Sequence, residues 1–371
     1  MNNKNYQVYF DCGSSKIRAA ACDNNNSKNN FQYEGEIFFD KSKIKFEIQK
    51  IVSLLEKKNK EYLNEINLMI DSSDMLSIGI SVSGKLDGSE LKKEDVQFLV
   101  QDANQQILKN YTNQNITHII INNYKVDNVD YDFLPNNLIC NLISIDILFI
   151  CIPKKTIEYF KTQFLELDIS INQIFCSSYA KSVNYKDNFS SINDISFIDI
   201  GFNKTSVTCF NKNKIIFLDV LPIGGNHITK DISKVLKINL KEAEKAKLYF
   251  DDNQNFLNDK KISLELIQKI IFARIEEILE LCAKSIELNL KITKQSKRKM
   301  VLMGEGSKIL DNRFKEKISF LHDVDLLDET VKDIFDCALN LYNGINKQEV
   351  VLIPKKSIKE GFFEKLFHLF R

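Results

Sequence analysis

Two short loops in this sequence carry the residue types that bind phosphate groups and a divalent cation. The first loop is Asp11-Cys12-Gly13-Ser14-Ser15-Lys16. It lies at the turn of an alternating segment, Val8–Ala21, which predicts a β-hairpin. Gly13 permits close approach of the backbone, and successive N–H groups with Lys16 can hold anionic oxygens. Asp11 is a candidate to orient the water shell of a magnesium ion, although a plain hairpin turn would explain this loop if it stood alone.

The second loop repeats the arrangement in the other half of the chain. It is Asp199-Ile200-Gly201-Phe202-Asn203-Lys204-Thr205. A buried strand ending at Ile200 leads into it, and strands at Ser206–Phe210 and Ile215–Val220 follow. Asn203 tolerates a positive φ angle, so the turn is feasible without a further glycine. Because the same pattern occurs twice at strand ends, we expect two loops that face each other across a phosphate-binding cleft.

Two further clusters are candidates for contacts with a nucleoside. Gly304-Glu305-Gly306-Ser307 follows the short apolar strand Val301–Met303 and can pass beneath an adenine ring; the alternative is a simple turn into a helix. Glu244 and Lys247 lie one turn apart on a predicted helix, where a carboxylate can hold a ribose and a lysine stem can pack on a base. The alternative for this pair is a surface ion pair.

The segment Ile358–Arg371 is a separate signal that follows a short linker, Pro354–Ser357. As a helix it has one apolar face and one charged face. The apolar face comprises Ile358, Phe362, Phe363, Leu366, Phe367, Leu369 and Phe370, and the charged face comprises Lys359, Glu360, Glu364, Lys365, His368 and Arg371. This pattern fits an interfacial membrane helix, and by periodicity alone it fits a helix docked on the protein's own core about equally well.

Composition limits the classes of protein to which this chain can belong. Its 371 residues suffice for two domains with separate cores, with an ordinary balance of 44% hydrophobic and 27% charged residues. A net charge of +1 argues against nucleic-acid binding through bulk electrostatics. The eight cysteines include no C-x-x-C pair, which argues against a zinc site and fits a reducing cytosol. The most apolar run, Leu138–Pro153, is too short to span a bilayer, so we expect a soluble body.

The elements that must position the loops form two pieces of α/β structure around an insertion. Further strands are predicted at Leu76–Val82, His118–Ile121, Asp146–Ile152 and Ile169–Phe175. Helices are predicted at Ile44–Leu55, Glu94–Leu108, Thr156–Leu167, Ser177–Asn184, Leu240–Tyr249, Ile262–Leu290 and Ile334–Tyr342. From Ser83 to about Pro153 the pattern changes, beginning with a turn at Gly84–Gly88, and this change predicts a small α+β insertion.

The most specific motifs lie in Leu221–Ile232 and Leu240–Lys247. They resemble the I-P-x-G-G-x-x-I-T-x-D-I segment and the A-E-x-x-K helix of FtsA, a family of bacterial cell division proteins in the actin-like nucleotide-binding superfamily. The resemblance covers nearly the whole chain. It implies an α/β fold of the actin-like (ribonuclease H-like) two-domain type, with a small α+β insertion subdomain and a C-terminal amphipathic helix. The implied boundaries are 1–82 and 156–194 for the first domain, 83–155 for the insertion, 195–345 for the second domain with its FtsZ-binding subdomain, 346–357 for a linker and 358–371 for a membrane-targeting helix.

The resemblance also implies the residues of each site. The implied nucleotide-binding residues are Asp11, Gly13, Ser14, Ser15 and Lys16 in the first loop, Asp199, Gly201, Asn203 and Thr205 in the second, Gly225 near the phosphates, Glu244 and Lys247 at the ribose and base, and Gly304, Gly306 and Lys308 at the adenine. Asp11 and Asp199 would hold Mg²⁺ through water. The implied membrane-binding residues are Phe362, Phe363, Leu366, Phe367, Leu369 and Phe370. Arg274 and Glu277 would bind the C-terminal tail of the tubulin-like protein FtsZ.

A protein of this kind would bind ATP with Mg²⁺, polymerise into filaments and anchor FtsZ at the division septum. It would lie on the cytoplasmic face of the bacterial inner membrane, in contact with membrane lipids and, through the insertion, with other divisome proteins. No nucleic acid is expected as a partner.

The sequence departs from the family pattern where phosphate is held. Phe202 and Asn203 replace glycines of the second loop, Ser206 replaces an acidic residue, and Glu305 replaces a small residue. No residue stands out as the group that activates a water molecule, so we expect ATP binding with at most slow hydrolysis. The alternatives are a PilM-like pilus-assembly actin homologue, a small-molecule kinase on the same scaffold, and a pseudo-ATPase scaffold that holds no nucleotide.

Overall fold

The structure, a computed structural model of the chain, describes residues 6–23, 31–37, 43–248, 263–290, 298–310, 324–342 and 349. Within these residues the strands are β1 (Tyr6–Cys12), β2 (Lys16–Asp23), β3 (Phe31–Glu36), β4 (Glu65–Ile70), β5 (Leu76–Glu90), β6 (Gln114–Val126), β7 (Val129–Tyr131), β8 (Ile139–Pro153), β9 (Ser170–Cys176), β10 (Asp194–Ile200), β11 (Thr205–Asn211), β12 (Lys214–Leu221), β13 (Lys299–Met303) and β14 (Val324–Leu326). The helices are α1 (Lys43–Asn59), α2 (Lys93–Asn110), α3 (Lys154–Leu165), α4 (Ser177–Lys186), α5 (Gly225–Leu236), α6 (Leu240–Leu248), α7 (Leu264–Leu290) and α8 (Val331–Tyr342).

The two loops singled out in the sequence occupy equivalent places because two five-stranded sheets share one topology. The strand orders are β3-β2-β1-β4-β9 and β12-β11-β10-β13-β14. In each sheet the first three strands in this order pair antiparallel. The third of them, β1 or β10, then pairs in parallel with β4 or β13, which pairs in parallel with β9 or β14. Both hairpin turns are closed by a glycine N–H that donates to a lysine carbonyl, from Gly13 to Lys16 at 3.0 Å and from Gly201 to Lys204 at 2.9 Å. The two predicted loops therefore form the same turn.

Apolar helix faces cover both sheets. On α7, Ile267, Ile271, Ile275 and Ile278 recur at helical spacing and are buried in the core that includes the inner strands of the second sheet. On α1, a similar stripe that includes Ile48 is buried with the strands of the first sheet. Since both faces of the central strands are covered, those strands are apolar along most of their length rather than alternating.

The insertion is a four-stranded sheet of order β5-β8-β6-β7 with α2 packed on one face. It contacts the second sheet along β12, where the Leu218 N–H donates to Ser77 Oγ at 3.0 Å. In the same contact, Asn122 Nδ2 donates to the Ile215 carbonyl at 2.7 Å. The insertion is thus held against the second half of the molecule as well as joined covalently to the first.

Two details of the insertion differ from the sequence prediction. The strand predicted at Leu76–Val82 continues to Glu90 and pairs with β8, so it belongs to the insertion sheet. The turn predicted at Gly84–Gly88 is an irregularity inside β5: the register shifts between Lys85 and Ser89, and Asp87 and Gly88 have φ angles of 49° and 83°. An Asp-Gly pair in the sequence indicates positive φ angles at these positions, but it does not distinguish a bulge inside a strand from a turn between two strands. The domain boundaries given above stay predictions.

Helix α4 follows β9 of the first sheet and, after the 3₁₀ turn Asp187–Phe189, leads into β10 of the second. Its first turn is held by the Asp71 carboxylate, which accepts hydrogen bonds from the Ser178 N–H at 3.2 Å. Helix α8 packs beside it, and Asn340 Nδ2 donates to Asn184 Oδ1 at 2.8 Å. These two helices connect the two halves of the fold.

No helix in the described ranges is long and apolar enough to cross a membrane. The predicted amphipathic helix 358–371, with all six predicted membrane-binding residues, lies outside the described residues.

The eight cysteines generate a first prediction. All eight are buried and form no disulfide, and burial raises the pKa of each thiol, to about 12 for Cys151 and Cys282. Because the thiolate is the reactive form, the folded chain should react slowly with dithionitrobenzoate at mildly alkaline pH. In guanidinium all eight thiols should react at once. Rapid reaction of any thiol in the folded chain would contradict this packing.

Candidate functional site

The two equivalent turns line a small cavity of about 90 Å³ between the sheets. The predicted residues that line it are Asp11, Gly13, Ser14, Ser15, Lys16, Asp199, Gly201 and Gly304. Its basic side chains are Lys16, Arg18, Lys181 and Lys204, and its acidic side chains are Asp11, Asp71, Asp199, Glu305 and Glu329. Four basic and five acidic groups therefore face one small space. The cavity is close to electrically balanced before any ligand enters.

Arg18 balances the acidic groups around the first loop. The antiparallel register places it opposite Asp11, and its Nη1 lies 3.3 Å from Asp11 Oδ2. Its Nε contacts Glu34 at 3.0 Å, and its Nη2 contacts Glu305 of the second half at 3.1 Å. Burial alone would lower the pKa of Arg18, but Asp11, Glu34 and Glu305 raise it above its ordinary value. Ser177 Oγ donates a further hydrogen bond to Asp11 Oδ1 at 3.2 Å.

Lys181 has the same role at the second loop. It projects from α4, is 6% exposed, and its Nζ lies 2.7 Å from Asp199 Oδ2 and 3.1 Å from Glu329 Oε2. Burial alone would lower the pKa of Lys181, but the carboxylates of Asp199, Glu329 and Asp11 raise it well above its usual range. Since one ammonium faces two carboxylates, burial and the nearby Asp199 raise the pKa of Glu329 despite the opposing effect of Lys181. The Gly304 N–H also donates to Glu329 Oε2 at 3.1 Å.

A second, larger cavity of about 590 Å³ adjoins the first and shares Ser15, Lys16, Gly201, Phe202 and Glu305 with it. The predicted residues Gly225, Glu244, Lys247 and Gly306 line this larger cavity. Its basic side chains are Lys16, Lys43, Lys241, Lys245 and Lys247, and its acidic side chains are Glu36, Glu244 and Glu305. A cavity of this size with excess positive charge suits a nucleoside with attached phosphate.

Glu244 and Lys247 form a buried pair, so the surface ion pair considered for them is not what the structure shows. Lys247 Nζ lies 2.9 Å from Glu244 Oε2 and 3.2 Å from the Gly225 carbonyl, and Thr229 Oγ1 also donates to the carboxylate. Burial lowers the pKa of Lys247, and Glu244 offsets part of that effect. The ammonium lies 5.7 Å from the centroid of the Phe202 ring, within the range of a cation–π contact.

Three predicted site residues have other contacts and do not line either cavity. Thr205 Oγ1 donates to the Ile223 carbonyl at 2.7 Å, and Asn203 Oδ1 accepts from Asn226 Nδ2 at 2.8 Å. Lys308 Nζ pairs with Glu305 at 3.2 Å. The first two contacts fasten the second loop to the start of α5, which is a structural role.

The sequence predictions did not include Arg18, Lys181 or Glu329. Arg18 could have been found, because a hairpin that turns at Gly13–Lys16 places residue 18 opposite Asp11. Lys181 gives a weaker signal, a lysine among small residues on a predicted helix. Glu329 lies 148 residues from Lys181, and nothing in the local sequence connects the two.

Magnesium does not fit the carboxylates that were predicted to hold it. Cationic side chains already contact Asp11 and Asp199, at 3.3 Å and 2.7 Å. Across the described ranges, no group of three or more His, Cys, Asp or Glu side chains is arranged to hold a metal ion. At the start of α5, the N–H groups of Gly225 and Asn226 already bond to the carbonyls of Gly201 and Phe202, at 2.9 and 2.7 Å. The backbone there offers neither of these donors to phosphate oxygens.

The paired sheets, with equivalent turns facing one cleft, define a protein with the actin-like ATPase fold, as the sequence predicted. The structure of the PilM–PilN type IV pilus biogenesis complex matches it with a TM-score of 0.59 at 13% identity, over 88% of this chain and 89% of that one. At this identity the likeness concerns the fold alone. Within that class the chain is FtsA-like: residues 196–309 match the family described as cell division protein FtsA.

Individual FtsA proteins agree with this assignment. The FtsA of Buchnera aphidicola is 22% identical over 373 residues, covering 88% of this chain and 86% of the relative. The FtsA of Agrobacterium fabrum is 20% identical over 234 residues, covering 58% of this chain and 52% of the relative. The match thus spans about half the length of the Agrobacterium relative. The resemblance noted at Leu221–Ile232 is confirmed, since this segment lies inside the matched range.

The buried Glu244–Lys247 pair generates a second prediction. Replacing Lys247 with Met leaves a buried carboxylate without its cation, which should cost about 3–5 kcal/mol of unfolding free energy. The double variant Glu244→Gln, Lys247→Met should recover most of that loss, because no charge is left unpaired. Urea denaturation followed by circular dichroism measures both.

The matched control for this prediction is Lys269→Met. Lys269 pairs with Glu265 at 2.7 Å, but both side chains are at least 70% exposed, so its loss should cost less than about 1 kcal/mol. Equal costs for the Lys247 and Lys269 variants would show that the inner pair is solvated.

Proposed function

We propose that this chain is an actin-like tether of bacterial cell division. It would lie on the cytoplasmic face of the inner membrane at the septum, self-associate into filaments and anchor FtsZ to the membrane. The observation that most strongly supports this proposal is the relation to FtsA proteins, which with the Buchnera relative extends over 88% of this chain. The likeness to PilM concerns the fold and does not favour a role in pilus assembly.

A nucleotide is part of the proposal, with its nucleoside in the larger cavity. The size of that cavity, its excess of lysines, and the Lys247–Phe202 contact on its wall support a planar, anionic ligand such as ATP. Ser15 and Lys16 line both cavities and would hold the phosphates. The role of this nucleotide would be conformational, with hydrolysis slow or absent.

The FtsZ tail would bind a surface formed by α5 and α7. Arg274 lies there, with its Nε 2.6 Å from Asp231 Oδ2 and its Nη1 paired with Glu277. The Asp231 hydrogen bond is the main reason that the pKa of Arg274 is raised. The side chain of Glu277 is 50% exposed and that of Arg274 is 25% exposed, so a peptide can reach both. Asp231 would orient the guanidinium for that contact.

The insertion would contact other divisome proteins. It exposes large apolar side chains on α2, on β7 and at the start of β8: Phe98 is 64% exposed, Val129 53% and Ile139 70%. Exposed apolar groups of this size on one small subdomain support a protein-binding role.

One reconstitution tests the tether directly. Vesicles of anionic phospholipid are mixed with the full chain and fluorescent cognate FtsZ, and the amounts of both proteins that sediment with the vesicles are measured. The double variant Phe363→Glu, Phe367→Glu should remove both proteins from the vesicles, because charge on the apolar face predicted for 358–371 opposes insertion. The variant Arg274→Glu should leave the chain on the vesicles and release FtsZ.

The control is Lys269→Glu, the same charge reversal at an exposed position of α7, which should release neither protein. If the wild-type chain fails to sediment with vesicles, or if FtsZ sediments equally with the Arg274→Glu variant, the corresponding part of the tether is wrong.

A further inference from the structure

The ammonium group of Lys181 lies where the second loop would be expected to face a divalent cation. Its Nζ is 2.7 Å from Asp199, the carboxylate at the end of β10, and 3.1 Å from Glu329, just before α8. The three residues come from three separate segments of the chain. The distance to Asp199 is that of a charge-assisted hydrogen bond and the distance to Glu329 is that of an ordinary one, and all three side chains are at most 12% exposed. The contact is therefore a buried ion triad rather than a chance surface pair.

The first loop is balanced by a cation of the chain as well. Asp11 faces Arg18 at 3.3 Å and accepts a hydrogen bond from Ser177 at 3.2 Å. A magnesium ion needs oxygen ligands in near-octahedral order and usually keeps several waters, which a carboxylate orients through its free oxygens. Here the Arg18 guanidinium contacts Oδ2 of Asp11 and the Lys181 ammonium contacts Oδ2 of Asp199, and these two cations repel a second positive centre.

The same contacts join the two halves of the molecule. Arg18 on β2 reaches Glu305, which follows β13, and Lys181 on α4 reaches Asp199 and Glu329. Lys204 of the second loop also donates to the Asp71 carbonyl at the end of β4. In a cleft closed by a metal–nucleotide complex, the ligand would supply the contacts between the two halves. In this chain, side chains supply them.

We propose that Lys181 takes the place of a divalent cation in this cleft, so that the cleft binds no magnesium and accepts nucleotide without metal. The metal part of this inference is independent of the proposed function. The nucleotide part rests on the nucleotide binding proposed above.

The chain offers a matched pair of lysines for the test. Lys181 and Lys186 project from the same helix and are 6% and 5% exposed. Lys186 Nζ bonds to the Phe189 carbonyl at 3.2 Å and to Asn213 Oδ1 at 3.3 Å, with no carboxylate among these partners. Lys181→Met removes the cation between two carboxylates. Lys186→Met removes a lysine of similar exposure whose hydrogen bonds run to a carbonyl and an amide oxygen, and which Asp187 influences only through space.

The measurement is the melting temperature of the full chain in EDTA and in millimolar MgCl₂, without nucleotide. The wild type and Lys186→Met should melt at the same temperature in both buffers, within about one degree. Lys181→Met should be destabilised in EDTA and should regain several degrees in MgCl₂, because its carboxylates can then take up the metal. Stabilisation of the wild type by magnesium, or no response of Lys181→Met, would overturn the inference.

A second measurement decides the matter if Lys181→Met does not fold. Terbium luminescence or manganese paramagnetic resonance on the wild type should detect no tight site. If the wild type binds one terbium or manganese ion per chain, and the Asp199→Asn variant does not bind it, the inference is refuted.

A fluorescent ATP analogue tests the nucleotide part. It should bind the wild type with the same affinity in EDTA and in MgCl₂, within about twofold, and a tenfold loss in EDTA would contradict metal-free binding. Absence of binding in both buffers would remove nucleotide from the proposed function, while the role of Lys181 would still be decided by the metal measurements.

Discussion

The structure depends on the pairing of buried carboxylates with cations of the same chain. Asp11, Asp199 and Glu329 lie between two sheets, where an unpaired ionised carboxylate would cost several kcal/mol. Arg18 and Lys181 offset part of that cost, and each also contacts residues of the other half. The same ion pairs therefore lower the free-energy cost of the buried carboxylates and link the two halves of the molecule.

This pairing divides the cleft into two parts with different uses. The inner part, about 90 Å³, is lined by side chains whose charges largely neutralise one another. The outer part, about 590 Å³, is larger and rich in lysine. Phe202 lines both parts, and its ring is a cation–π partner for Lys247. Under the proposed function, the nucleoside end of the cleft would therefore provide most of the contacts to the ligand.

The sequence predicted those parts of the fold that rest on local patterns. The hairpins around Asp11 and Asp199 follow from strand alternation and turn residues, and the apolar stripe of α7 follows from helical spacing. The Lys181–Glu329 contact spans 148 residues and depends on how α4 and α8 pack, so no local pattern contains it. Likewise, spacing placed Glu244 and Lys247 on one helix face, but only the packing of α5 against α6 determines that the pair is buried.

The most direct test of a cleft closed by the chain's own ion pairs is calorimetric unfolding of the ligand-free full chain in EDTA. If Arg18 and Lys181 couple the halves, both sheets should unfold in one cooperative transition, with a van't Hoff enthalpy equal to the calorimetric enthalpy. Two separate transitions that merge only when magnesium and ATP are added would show that the halves are joined by ligand, and would contradict the account.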